Sequence, residues 1–131
     1  MFADASAVVA IVTDEPERPV FMVKLEKARR VVISPVTIYE ATLALARITQ
    51  NNLIEARAAI DKFIVVSGAI VVPIDRAVGE AALDAFAVFG KGRHRASLNM
   101  GDCFAYACAK MNRVPLLCKG DDFVHTDIRI A

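Results

Sequence analysis

Short apolar runs alternate along this chain with longer stretches of helical periodicity. That alternation predicts an α/β fold, with a mostly parallel sheet covered by helices on both faces. Composition agrees. The hydrophobic fraction is 56% and the mean hydropathy +0.43, as expected where strands are buried on both sides. The length, 131 residues, predicts one domain over residues 1–131.

Met1 to Asp4 reads as a short buried strand, and Ala5 to Thr13 as a helix whose small residues pack close to the sheet. Asp14-Glu15-Pro16-Glu17 is a turn, with Pro16 placed to start a second helix that runs to about Arg30. Val31 to Ile33 is a strand ended by Ser34-Pro35. Thr37 then caps a helix, with Glu40 at capping-box spacing and an apolar face of Ile38, Ala41, Leu45 and Ile48. Asn51-Asn52 breaks the chain, and a hairpin partner follows with Leu53, Ala56, Ile60, Phe63 and Ile64 at helical intervals. The strand Ala69 to Ile74 comes next. Asp75 caps a helix carrying Val78, Ala82, Ala85, Phe86 and Phe89, and Gly90 to Leu98 is a loop. Asn99 to Met111 is helical, with Phe104, Ala107 and Met111 facing the core. Val114 to Cys118 is a buried strand, and Ile128 to Ile130 a short edge strand.

A membrane protein fails on run length. The longest charge-free stretches, Val31–Tyr39 and Phe63–Ile74, fall well short of the roughly 20 apolar residues that span a bilayer. No basic segment followed by a long apolar core opens the chain, so no secretory signal is read and a cytoplasmic protein is expected. The net charge of +1 gives no global attraction to nucleic acid. Cys103, Cys108 and Cys118 lack zinc-ligand spacing and have apolar neighbours, which predicts reduced core thiols.

The acids carry the chemistry. Asp4 ends the first strand. Glu40 follows the second strand by one helical turn, Asp102 opens a helix, and Asp121-Asp122 follow the last apolar run. In open α/β sheets, sites form outside the carboxyl ends of the strands, and all of these acids can meet there. Crowded carboxylates repel, so the cluster implies a divalent cation. Mg²⁺ suits an all-oxygen set that keeps several waters, and Mn²⁺ fits the same oxygens. The expected reaction is phosphodiester hydrolysis by a water the ion activates. Asp4 and Asp102 are expected to bind metal directly, with Glu40 acting through water or orienting the attacking water. Asp122 completes the site or supports a second ion, and Ser6 and Asn99 steady the carboxylates. Lys91, Arg93 and Arg95 form a basic segment suited to RNA phosphates, or equally a solvated loop.

Four segments in order resemble the PIN-domain ribonucleases, and more narrowly the VapC toxins of type II toxin–antitoxin (VapBC) pairs. They are Phe2-Ala3-Asp4-Ala5-Ser6-Ala7, Ser34-Pro35-Val36-Thr37-Ile38-Tyr39-Glu40, Asn99-Met100-Gly101-Asp102-Cys103-Phe104-Ala105-Tyr106-Ala107 and Leu117-Cys118-Lys119-Gly120-Asp121-Asp122-Phe123. No single motif is specific; the ordered set is. The resemblance implies a three-layer α/β/α sandwich, Mg²⁺-dependent endoribonuclease activity and frequent dimerisation. It also implies a VapB-like antitoxin that blocks the site in a toxin–antitoxin hetero-oligomer. The last acid in many such domains lies three residues before the phenylalanine, which is Gly120 here, so the fourth ligand is Asp121 or Asp122, with Asp122 favoured.

Two other readings compete. A receiver-like phosphoacceptor would use Asp4, Asp75 and Lys119, but it leaves Glu40 and Asp102 unexplained and lacks a second acid beside Asp4. A non-catalytic PIN-fold binding partner would not need to keep all the acids. The apolar hairpin Thr37 to Val66 offers a surface to an antitoxin segment or a second subunit. The sequence does not name the RNA.

Overall fold

The computed structural model describes residues 1–50 and 52–131. Its centre is a parallel sheet of β1 (Phe2–Ala3), β2 (Val32–Ile33), β3 (Ile70–Val71) and β4 (Leu116–Leu117), in the order β3-β2-β1-β4. Phe2 pairs with Val32 on one side and Leu116 on the other, and Ala3 pairs with Leu117.

Each strand is only two residues long, yet β1, β2 and β4 are buried throughout. Successive strand residues point to opposite faces, so each of these strands gives one side chain to each of two cores. Phe2, Val32 and Leu116 pack with helices α5 (Arg76–Phe89) and α6 (Met100–Met111). Ala3, Ile33 and Leu117 pack with α1 (Ala5–Val12), α2 (Arg18–Lys27), α3 (Pro35–Ile48) and α4 (Leu53–Ser67). The result is the three-layer α/β/α sandwich. Strand β3 is the edge, with both residues exposed.

Several boundaries differ from the sequence reading, each for a local reason. The predicted strands Met1–Asp4, Ala69–Ile74 and Val114–Cys118 contract to their paired centres. Ile128–Ile130 forms no strand of its own: Ile130 makes a single parallel bridge to Leu116. Helix α2 starts later than predicted, with Pro19 and not Pro16 in its first turn. Ile48 and Met111 are exposed, because each lies in the last turn of a helix whose buried positions are earlier ones. Asn52 caps α4, its Oδ1 accepting from the Glu55 N–H at 3.1 Å; Asn51 lies outside the described residues. Gly68 ends α4 at φ 63°, the left-handed cap that glycine adopts without a Cβ penalty.

The strand order places the site. The chain winds outward from β1 to β2 to β3, then crosses back to add β4 on the far side of β1. The connection from β1 runs to one side of it and the connection into β4 crosses to the other, so the strand order reverses between β1 and β4 and a crevice opens at their carboxyl ends. Asp4 follows β1 directly, and Cys118 and Lys119 follow β4. Among the described residues, no helix is long and apolar enough to cross a membrane.

Candidate metal centre

Asp4 is the N-cap of α1 and is 5% exposed. Its Oδ2 accepts from the Ser6 backbone N–H at 3.0 Å and the Ser6 hydroxyl at 2.5 Å. The Lys119 backbone N–H in turn donates to Ser6 Oγ at 2.9 Å. A relay therefore runs from the turn after β4 through Ser6 to the carboxylate after β1. Burial pushes the Asp4 carboxyl above its usual range, against the lowering effect of the Ser6 bonds, and the charge of Asp122 raises it further.

Glu40 does not cap a helix. Ser34 is the N-cap of α3, its Oγ accepting from the Thr37 N–H at 3.1 Å. Thr37 is therefore already inside the helix, and Glu40 lies one turn beyond the position a capping box needs. That removes the bland explanation of Glu40 and leaves its carboxylate for the cavity. The capping box forms elsewhere, on an acid of the cluster. Asn99 Oδ1 accepts from the Asp102 N–H at 3.1 Å, and Asp102 Oδ2 accepts from the Asn99 N–H at 2.8 Å. Asn99 thus fixes Asp102 at the mouth of α6.

Asp4, Glu40 and Asp102 line one cavity of about 610 Å³, together with Ser6, Asn99, Tyr39, Arg47, Glu15 and Lys119. The carboxyls of Glu40 and Asp102 are each pushed up to about 6. In both, burial is the main cause; Glu40 is also raised by Asp4 and Asp102, and Asp102 by Asp4 and Asp122. Asp4 and Asp102 are the members whose charge, or whose response to charge, links Glu40 on one side with Asp122 on the other. Asp121 perturbs none of these carboxyls. Both Asp121 and Asp122 are exposed.

As the side chains stand, no three His, Cys, Asp or Glu residues among those described are placed to ligate one ion together. Asp4 and Asp102 each commit Oδ2 to a hydrogen bond within the chain, and the Glu40 carboxylate rests over Gly101. The donor set still fits a hard cation that keeps its waters and takes only one or two carboxylates directly. Asp4 and Asp102 would supply those from Oδ1, with Glu40 and Asp122 reached through water.

Three features around the acids have no part in the metal-site reading of the sequence. Gly101 is one: a Cβ there would overlap both carboxylate oxygens of Glu40, so the missing side chain is what lets Glu40 approach the first turn of α6. Its signal was a glycine inside a helix start, beside Asp102. The second is Lys119, whose Nζ pairs with Glu15 and with Glu17 at 3.1 Å. The third is the pair Tyr39 and Arg47 on α3. The basic segment behaves differently: Lys91, Arg93 and Arg95 do not line the cavity, and the Arg93 guanidinium lies over the Phe86 ring at 5.4 Å. Asp75 caps α5, accepting from the Val78 N–H at 2.9 Å, which accounts for the middle acid of the receiver-like reading. The cysteines are free, and burial raises all three thiols, to about 11 for Cys103 and Cys108 and about 12 for Cys118. None is an activated nucleophile.

The chain matches the model of the PIN domain over residues 1–129. It is 41% identical to a VapC ribonuclease of Rhizobium meliloti, over 97% of this chain and 98% of that one. It is 40% identical to ribonuclease VapC30 of Mycobacterium tuberculosis, over 98% and 95% respectively. The fold resembles that of Mycobacterium tuberculosis VapC20, a toxin that cleaves the sarcin–ricin loop, with a TM-score of 0.78 at 14% identity over 99% of this chain and 97% of that one. It also resembles a chain of a toxin–antitoxin complex from Klebsiella pneumoniae, with a TM-score of 0.69 at 15% identity over 99% and 95%. By sequence and by architecture, the chain belongs to the PIN-domain family and, within it, to the VapC ribonucleases.

Proposed function

We propose that this chain is a divalent-cation-dependent endoribonuclease, the toxin of a toxin–antitoxin pair, and that Asp4, Glu40, Asp102 and Asp122 are its catalytic acids. One observation carries the reading. Carboxylates from three separate elements line one cavity at the sheet's switch point, and their protonation is biased upward by burial and by one another. Such crowding is costly in a bare protein and is relieved by a cation.

A bound Mg²⁺ or Mn²⁺ would lower the pKa of the attacking water and neutralise the departing oxygen. The chain's own residues do the rest. Ser6 and Asn99 hold Asp4 and Asp102 by hydrogen bonds, so that neither has to be ordered when the ion arrives. Glu40, placed by Gly101, orients the attacking water and takes its proton on the carboxylate. Asp122 is exposed and outside the cavity lining, but its charge reaches Asp4 and Asp102, and it completes the site from there.

The antitoxin has a seat close by. An apolar cavity of about 480 Å³ is lined by Ile11 and Val12 of α1, Met22 and Leu25 of α2, and Phe63 and Val66 of α4. The hairpin surface expected from the sequence is thus contributed by α4, with α1 and α2 in place of α3. Val9, on the same short helix as Ile11, lines the acid cavity. Asp4 caps the same helix about two turns, or about 10 Å, before Ile11, so the chain of an antitoxin continuing from a helix seated in the groove would be near enough to send an Arg or Lys into the acids and block cleavage.

Four outcomes are expected. Asp4→Asn and Asp102→Asn should each abolish cation-dependent RNA cleavage while keeping the native circular dichroism spectrum; wild-type cleavage by either would overturn the assignment. Gly101→Ala should lower cleavage to the level of Glu40→Gln without lowering Tm, since alanine is the better helix former by about 1 kcal/mol and only the Glu40 side chain must move. Adding Glu40→Gln to Gly101→Ala should then cost little more, and a fully additive double variant would show that the two residues act separately.

The third outcome concerns pH. Glu40 and Asp102 have folded-state carboxyls near 6, above their ordinary values. Their contribution to the metal-free fold is present below pH about 4 and is lost as pH rises through about 6. A cation replaces the lost protons, so the rise in Tm on adding Mg²⁺ should grow between pH 5 and 7. A pH-independent rise in Tm would separate these acids from the ion. Fourth, Val66→Asp, at a groove position 69% exposed, should weaken inhibition by the antitoxin in a titration while leaving cleavage intact; unchanged inhibition would place the antitoxin elsewhere.

A further inference from the structure

The acids are one part of the 610 Å³ cavity; α3, which carries Glu40, adds further side chains to it. Tyr39, Leu43 and Arg47 all line the cavity. They are spaced i, i+4 and i+8, which stacks their side chains along one face over on the order of 12 Å. Tyr39 is 65% exposed, and its ring opens to solvent beside Glu40. The exposed Phe86 ring, by contrast, is covered by Arg93. A single exposed aromatic is ordinary on a protein surface; one that forms the wall of an acidic cavity is not.

The cations of the cavity separate in the same way. Lys119 is held by Glu15 and Glu17. Arg47 is exposed and, among the described residues, has no carboxylate within salt-bridge distance. The cavity thus offers a free guanidinium two helical turns from a free aromatic face, with the apolar Leu43 between them.

We propose that this face of α3 is a nucleotide subsite. Tyr39 stacks the base next to the bond that is cut, Leu43 supports the sugar edge, and Arg47 takes the phosphate on the far side of that nucleotide. The inference rests on the ribonuclease reading and deepens it by naming the side chains that would hold the substrate beside the bond that is cut. A base can reach Tyr39 only if it is unstacked from its neighbours, so the substrate is a single-stranded or looped segment and not a continuous duplex. Charge supports the same occupant. The acids repel phosphates, and Arg47, with no carboxylate partner among the described residues, is free to hold one.

Tyrosine fluorescence offers a direct test, because the chain has no tryptophan and two tyrosines. The other, Tyr106, donates its hydroxyl to Asp127 outside the cavity. The probe is a short, mixed-sequence single-stranded RNA, added to full-length protein carrying Asp102→Asn with Mg²⁺ present. Binding should quench the Tyr39 emission. In that background Tyr39→Ala should weaken binding on the order of tenfold to a hundredfold, and Tyr39→Phe should restore it, since stacking needs the ring and not the hydroxyl. Arg47→Ala should weaken binding and reduce the salt dependence by about one phosphate contact. In the otherwise wild-type protein, Tyr39→Ala should raise KM more than it lowers kcat. A duplex of the same sequence should neither quench nor compete.

Unchanged binding and KM in Tyr39→Ala and Arg47→Ala, in a protein that still binds and cuts RNA, would overturn the subsite and leave the ribonuclease reading standing. The same would follow if these variants lost only inhibition by the antitoxin, because the wall would then belong to a protein partner. An unsubstituted protein that neither binds nor cuts any RNA with Mg²⁺ would instead remove the reading on which the subsite rests.

Discussion

The burial of Asp4 sets the terms for the rest of the molecule. Its backbone N–H donates to the Leu117 carbonyl at 2.9 Å, so the residue is stitched between β1 and β4 at the end of the central strand. A carboxylate in that position has lost most of its water. Two donors partly replace it, the Ser6 N–H and the Ser6 hydroxyl, and the Lys119 N–H in turn braces that hydroxyl. They orient the group without neutralising it, and its carboxyl remains raised. Asp102 and Glu40 then add their charges from two other helices. The fold gathers like charges where little water separates them: Asp4 is buried at the end of the central strand, and Glu40 and Asp102 are half-buried around it.

The surroundings make that concentration of charge tolerable. Each acid is anchored by an interaction that would exist without catalysis. Asp4 caps α1, and Asp102 closes the capping box of α6. Local helix chemistry thus holds the site in register, and the helices gain capped N-termini in return. Glu40 is the exception. It caps nothing, and its position depends on what Gly101 lacks. Of the acids lining the cavity, it is the one whose placement rests on packing between helices and not on its own turn, so its geometry is the most open to change by a neighbour's side chain.

Much of this was legible from the chain, for a physical reason. Asp4, Asp102 and Asp122 sit at strand ends and helix starts, and strand–helix alternation marks such points directly. Helix faces were read well wherever burial was deep: Ala41, Leu45, Ala56, Ile60, Val78, Ala82 and Ala85 are all buried. Reading failed where one local rule had two solutions. Ser34 and Thr37 both qualify as a cap, and only Pro35, which is well suited to the first helical position, selects Ser34. Pro16 and Pro19 posed the same choice in α2. The partners of the acids were less visible. Gly101, Tyr39, Arg47 and Lys119 gain meaning only when α3, α6 and the turn after β4 are brought to one cavity. No periodicity encodes that meeting; the strand order does.

The short helix α1 ties activity to its control. One end carries Asp4 as its cap and Ser6 as the clamp on that carboxylate. The other end, at Ile11 and Val12, floors the apolar groove between α2 and α4. Eight residues therefore join the proposed centre and the proposed antitoxin seat. The turn that follows α1 brings Glu15 and Glu17 to Lys119, whose own backbone N–H reaches Ser6. The loop after α1 and the turn after β4 close a ring around Asp4. An antitoxin helix in the proposed seat would therefore bear on the same element that holds Asp4 and Ser6, and a toxin silenced by binding would gain from that arrangement.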